Sequence, residues 1–104
     1  MNRTQLSRPN PVRRVNLDWL SLAAKLPGRT LNVACSIYYV ASLYGTPTIR
    51  LAPHALRMFG VSRDCCYDSL RRLADADLIV LNNHRGRLPR LTLVDKQARP
   101  LDMD

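Results

Sequence analysis

The segment from Thr30 to Tyr44 constrains the fold of this 104-residue chain more than any other. It is the most apolar stretch of the sequence, and its apolar side chains recur at the spacing of one helix face. Those side chains are Val33, Ile37, Val40, Ala41 and Tyr44. Because Thr30 is a favourable N-cap and the Gly-Thr-Pro sequence at 45–47 stops a helix, we predict a core helix between them. A chain of this length has room for one domain built on such a helix.

A short helix is predicted in front of the core helix. Asn16 is a good N-cap, and apolar residues recur at helical spacing over 17–24. Pro27 and Gly28 then stop the helix. The preceding segment, 1–15, is basic, contains two prolines and no acid, and is predicted to be a flexible arm.

A helix-turn-helix is predicted after the core helix. A short β-branched strand at 48–51 leads into a third helix over 53–59, which has proline at its first position. Gly60 provides a tight turn, and Ser62 can cap a fourth helix that runs to about Ala76. In this fourth helix, Cys66, Leu70, Leu73 and Ala74 are expected to face the core, and Arg63, Tyr67 and Arg71 form a separate polar stripe.

A β-hairpin is predicted near the end of the chain. Two strand-like segments, 78–81 and 91–94, flank the polar segment 82–90, which contains Asn and Gly turn-formers and three arginines. The remaining residues, 96–104, show little periodicity and are expected to form a disordered tail. The folded domain is therefore predicted to span 16–95.

The charge of the chain favours a polyanionic partner. Sixteen Arg and Lys residues face eight Asp residues, which gives a net charge of +8. Fourteen of the sixteen are Arg and the chain has no Glu, a skew that genome base composition alone can produce. The charge therefore makes nucleic acid the leading class of partner without deciding the matter.

The run IRLAPHALRMFGVSRDCCYDSLRRLADADLIVLNNHRGRLPRLT, at 49–92, resembles the strand, helix-turn-helix and β-wing of small bacterial, plasmid- or phage-type winged-helix regulators. Within it, FGVSRDCCYDSLRRLADADLI is similar to the family pattern in which a Val-Ser turn opens the recognition helix. The family often has Gly where Asp77 stands, because the helix exits through a left-handed residue. The resemblance implies a mainly α fold with a small β-sheet: a short N-terminal helix, a core helix, a helix-turn-helix and a two-stranded β-wing.

The resemblance also implies that the recognition helix, 62–76, lies in the major groove of double-stranded DNA. The residues it would bring to the DNA are Ser62, Arg63, Tyr67, Arg71 and Arg72. Arginine suits this role because its planar fork can bond guanine O6 and N7, although a solvated arginine is the alternative. Asp64 and Asp68 would repel phosphates, and we expect them to pair with Arg71 or Arg72.

Arginines outside this helix are further candidates for DNA contacts. The wing, 82–90, can enter the minor groove or contact phosphate, although its charge could instead protect a strand edge from pairing. The arm can follow an adjacent groove, although an inert solvated tail is nearly as good an interpretation. The candidates are Arg85, Arg87 and Arg90 in the wing, and Arg13 and Arg14 in the arm.

The sequence contains little that indicates an enzyme or a metalloprotein. Neither His54 nor His84 has a second metal-type ligand at useful spacing, and no phosphate loop or nucleophile motif is present. Cys65 and Cys66 are adjacent, and packing is a better interpretation for them than redox sensing. We therefore expect no catalytic residue, no cofactor and no metal.

The expected location is the cytoplasm, in association with the nucleoid. Three cysteines fit a reducing compartment better than a disulfide framework, and no stretch approaches the roughly 18 apolar residues of a membrane span. We expect no membrane partner.

The leading functional prediction is sequence-specific or accessory DNA binding, with transcription regulation as the expected use. The alternative is a non-catalytic subunit that docks onto a larger nucleoprotein complex. The aromatic residues Trp19, Tyr38, Tyr39 and Tyr44 would then be candidates for the contact surface. A homodimer formed through the helix at 17–26 is a further possibility.

Overall fold

A computed structural model describes residues 15–82 and 89–103 of the chain. Within them the protein is mainly helical, with a small antiparallel sheet. The helices are α1 (Leu17–Ala24), α2 (Thr30–Tyr44), α3 (Pro53–Met58) and α4 (Arg63–Asp75), and the strands are β1 (Thr48–Arg50), β2 (Ile79–Asn82) and β3 (Arg90–Leu93).

Helix α2 is the centre of the core, as the sequence predicts. It contains no charged residue, buries eight of its fifteen side chains, and packs against α1, α3, α4 and β1. Two details of the prediction are wrong. Thr30 lies inside the helix, where its hydroxyl donates to the carbonyl of Pro27, and Arg29 occupies the cap position. Tyr44 is 72% exposed, because it lies in the last turn, just before the left-handed Gly45 ends the helix.

Helix α1 is fixed to the rest of the domain by aromatic residues. Asn16 caps the helix as predicted, because its side-chain oxygen accepts from the backbone amide of Trp19 at 3.0 Å. The backbone amide of Asn16 donates to the Tyr38 hydroxyl at 2.8 Å. The Trp19 indole donates to the Leu78 carbonyl at 2.9 Å, and its ring lies 5.7 Å from that of Tyr38. Trp19 and Tyr38 are both buried, so the prediction that they form a contact surface is wrong.

The α3–turn–α4 unit follows the predicted local pattern. Gly60 is left-handed, and the Ser62 side chain accepts from the amide of Cys65 at 3.3 Å. The core face of α4 consists of Cys66, Ser69, Leu70 and Leu73, with Ala74 half-buried. After α4 the chain leaves through Asp77 at a φ of 61°, which is the left-handed exit that the sequence pattern requires.

The sheet has one strand more than the predicted wing. Its order is β1-β3-β2, and both pairings are antiparallel. The sequence predicts β1 as a strand but not its partner. Ile49 is buried beside its register partner Leu91, which joins β1 to β3. The burial of this apolar pair explains why β1 extends the predicted two-stranded wing to three strands.

The expected disordered tail is wrong for residues 96–103. Asp95 accepts at Oδ1 from the amides of Gln97 and Arg99, both at 2.9 Å, and this turn reverses the chain. The Leu101 amide then donates to the Leu93 carbonyl at 2.9 Å, and the Leu101 and Met103 side chains join the core. Two isolated apolar residues produce no periodicity, so the sequence pattern could not reveal this packing. The arm predicted over 1–15 lies, apart from the exposed Val15, outside the described residues.

Replacing Leu101 by Ala is expected to lower the free energy of unfolding by about 2–3 kcal/mol, because a buried leucine side chain is lost. Leu17→Ala is the matched control, since Leu17 is 72% exposed and Leu101 only 5%. The control should change stability by less than about 0.5 kcal/mol. Urea denaturation, followed by the fluorescence of the single tryptophan, measures both. Equally small effects would contradict the packing of the C-terminal segment.

Candidate nucleic-acid interface

One flank of helix α4 carries the polar stripe predicted for DNA contact. Arg63, Tyr67 and Arg71 are exposed and follow each other at intervals of four residues. A helix has 3.6 residues per turn, so these three side chains share one side of the helix and drift slowly around it. Ser62 precedes them and is also exposed, although its side-chain oxygen is occupied as the N-cap acceptor. The structure therefore brings four of the predicted residues together.

The centre of the outward face of α4 is acidic, a feature that was not predicted. Asp64, Asp68 and Asp75 are exposed and lie opposite the buried Cys66 and Leu70. Asp68 follows Asp64 by about one helical turn, and Asp75 follows Asp64 by about three. The predicted ion pairs of Asp64 and Asp68 with Arg71 or Arg72 do not form in the described part of the chain. The three carboxylates therefore add negative charge along the outward face of the helix.

Arg72 is separated from the other predicted contact residues. It is half-buried and lies on the flank of α4 that faces the turn between α1 and α2. A Cβ atom added to Gly28 in that turn would lie 3.1 Å from Nη1 of Arg72. The guanidinium therefore packs against the protein surface instead of joining Arg63 and Arg71.

A cation from outside α3 and α4 contacts the turn between these two helices. Nη1 of Arg29 donates to the carbonyl of Gly60 at 3.5 Å, and the Asn32 side chain donates to the carbonyl of Phe59 at 3.0 Å. Together these bonds hold the start of α2 against the turn. Arg29 was missed as a candidate, although the sequence contains a signal for it. Residues 19–63 include five Arg and Lys residues and no carboxylate.

A second pair of cations lies on the sheet. Arg90, a predicted wing residue, is exposed on β3, and its register partner on β1 is Arg50, which is exposed as well. Arg50 was not predicted, although the alternation of Thr48, Ile49 and Arg50 indicates that residues 48 and 50 share the outward face of a strand. The remaining candidates, Arg85, Arg87, Arg13 and Arg14, lie outside the described residues.

Most of the net charge lies in the undescribed parts of the sequence. Residues 15–82 and 89–103 contain ten of the sixteen Arg and Lys residues and seven of the eight Asp residues. The undescribed positions therefore hold six cations against one acid. A polyanion would meet only a modest positive balance on the described surface, so the placement of its cations matters more than their number.

The cysteines of α4 differ in their surroundings. Cys66 is buried, its thiol donates to the carbonyl of Arg63 at 3.0 Å, and burial raises the pKa of that thiol. A raised pKa lowers the thiolate fraction and so makes Cys66 unreactive, whereas Cys65 is exposed. In the described part of the chain, no three His, Cys, Asp or Glu residues are grouped so that they could hold a metal ion.

Comparisons with known proteins add no assignment. The chain matches no protein-family model, no curated protein and no solved structure. Of the helices within residues 15–82 and 89–103, none has the length and apolar character that crossing a membrane requires.

Proposed function

We propose that this protein is a winged helix-turn-helix protein that binds double-stranded DNA, as a transcription regulator or an accessory factor. The order of elements from α2 to β3 supports this, because it places a strand, a helix-turn-helix and a hairpin after a core helix. The resemblance of residues 49–92 to winged-helix regulators implies the same order. In this proposal α4 is the recognition helix, and β2 and β3 are the strands of the wing.

The observation that carries the proposal is the concentration of cations at the N-terminal end of α4. Arg63 lies in the first turn of the helix. The side chain of Arg29, the N-cap of α2, contacts Gly60, which is three residues before Arg63. The positive end of the helix dipole adds to their field. The first turn also contains one carboxylate, that of Asp64, which can accept a hydrogen bond from cytosine N4.

The carboxylates of α4 limit the orientations in which this helix could enter the major groove. A helix laid lengthwise in the major groove would bring Asp68 and Asp75 close to the phosphates of both strands, which is unfavourable. An approach led by the N-terminal end reduces this repulsion, because it brings Arg63 and Tyr67 to the bases while Asp75 stays outside the groove and only Asp68 stays near the phosphates. The proposed contact therefore involves the first two turns of α4.

Arg63→Ala is expected to weaken binding to random duplex DNA and to lower the slope of log K against log salt, since one cation close to the phosphates is lost. Asp68→Asn is expected to tighten binding, because it removes a carboxylate that repels the backbone. Fluorescence anisotropy across a salt series measures both effects. Arg99→Ala is the charge-matched control, since Arg99 is exposed on the C-terminal turn. An equal loss in this control, or no binding at low salt, would contradict the proposal.

A second candidate function, docking to another protein, is favoured by the outward face of α2. This face bears the exposed Leu31, Tyr39 and Leu43, and the whole helix is uncharged. The centre of the Tyr39 ring lies 6.2 Å from that of Phe59. Met58, the residue before Phe59, is exposed as well. Exposed apolar side chains on neighbouring elements are typical of protein contacts. Dimerisation through residues 17–26 stays a separate prediction.

If α2 docks to a protein, a photoreactive amino acid in place of Leu43 should give one cross-linked product in the host cell. The same amino acid in place of Lys96, which is exposed near the C-terminal turn, is the control and should give none. Mass spectrometry of the product distinguishes a second copy of this chain from a different protein. No product from position 43, or the same products from both positions, would rule against this candidate.

A further inference from the structure

Arg50 and Arg90 are directly opposite each other in the antiparallel sheet, in the type of pair that has the shorter distance between Cα atoms. The Leu51 amide donates to the Pro89 carbonyl at 2.9 Å, and the Leu93 amide donates to the Pro47 carbonyl at 3.0 Å. Hydrogen-bonded and non-hydrogen-bonded pairs alternate, so Arg50 and Arg90 form a non-hydrogen-bonded pair, whose Cα atoms are about 4.5 Å apart. Thr48 and Thr92, the neighbouring pair on the same face, are also a non-hydrogen-bonded pair, and their hydroxyl oxygens are 2.9 Å apart.

This arrangement is unfavourable for the protein alone. Like charges directly opposite each other destabilise an antiparallel pair. The six strand residues of this outward face contain no carboxylate; they are Thr48, Arg50, Val80, Asn82, Arg90 and Thr92. The two guanidiniums therefore have no counter-charge on the sheet.

Protection of a strand edge explains only half of the pair. Charged residues on edge strands prevent unwanted pairing with other chains, and β1 is an edge strand, so this accounts for Arg50. β3 is the central strand, paired on both sides, and has no free edge to protect. The position of Arg90 opposite Arg50 needs a different explanation.

We infer that Arg50 and Arg90 together bind one phosphate group, with the amide of Asn82 as a third donor. Two planar guanidiniums about 5 Å apart at their Cβ atoms can both direct N–H groups at the oxygens of one oxoanion. Asn82 is the partner of Arg90 on β2, so the three side chains form one row across the sheet. The bound anion supplies the missing counter-charge.

The phosphate is assigned to the backbone of DNA, and this part of the inference rests on the proposed function. α3 begins three residues after Arg50, so the row lies close in the chain to the helix-turn-helix. Phosphate contacts fix the register and orientation of a protein on the duplex without reading its sequence. Arg50 and Arg90 would orient the domain while the first turns of α4 contact the bases.

The test uses the full chain and two probes, inorganic phosphate and random duplex DNA. Thermal unfolding is followed in chloride and in phosphate buffers of equal ionic strength. For the unaltered protein, phosphate at several times its Kd should raise Tm by about 4–8 °C. Arg50→Thr and Arg90→Thr should each raise Tm in chloride, because the repulsion is gone, and should each abolish the phosphate-dependent rise. Arg99→Thr is the control and should keep it.

A further variant separates loss of the site from a change in folding. Arg50→Lys keeps the charge but not the planar fork, so it should unfold in chloride at the Tm of the unaltered protein and still lose most of the phosphate-dependent rise. A phosphate effect that is equal in all variants overturns the inference, even if the protein binds DNA. A phosphate effect that depends on the pair, in a protein that does not bind DNA, upholds the anion site and overturns the proposed function.

Discussion

The burial of α2 is the constraint on which the rest of the structure depends. A fifteen-residue helix without a single charge has to be covered, and α1, α3, α4 and β1 all pack against it. This packing fixes where the polar surface can lie. It places the start of α2 against the turn between α3 and α4, where Arg29 contacts Gly60, and it leaves one apolar face of α2 open to solvent.

The same packing divides the charged surface into regions of opposite character. Cations lie at the N-terminal end of α4 and on the row formed by Arg50 and Arg90. Beyond the first turn of α4, its outward face is acidic through Asp68 and Asp75. A polyanion would therefore meet attraction at two places and repulsion along the outward face of α4. That arrangement favours one orientation of a bound duplex, whereas an evenly basic surface would favour none.

Local rules predicted local features of this protein, and long-range contacts supplied the rest. The caps at Asn16 and Ser62 follow from the chemistry of a few neighbouring residues and were predicted, whereas the left-handed conformation at Asp77 was implied by the resemblance to winged-helix regulators. The burial of Leu101, the half-burial of Arg72 beside Gly28 and the pairing of Arg50 with Arg90 each depend on residues distant in the chain. For the candidate site, the stripe of α4 could be predicted from helical spacing. The row on the sheet could not, because strand register is decided by the core on the opposite face.

Amide hydrogen exchange of the full chain, with and without saturating duplex DNA, shows which parts of the protein contact the duplex. We expect slower exchange on DNA binding in two places: at residues 60–67, in the turn and the first part of α4, and at 48–51 with 90–92, on the sheet. Residues 31–43 of α2 should exchange at the same rate in both states. Unchanged exchange at 60–67, or slowing confined to α2, would contradict the claim that this protein binds DNA through the N-terminal end of α4.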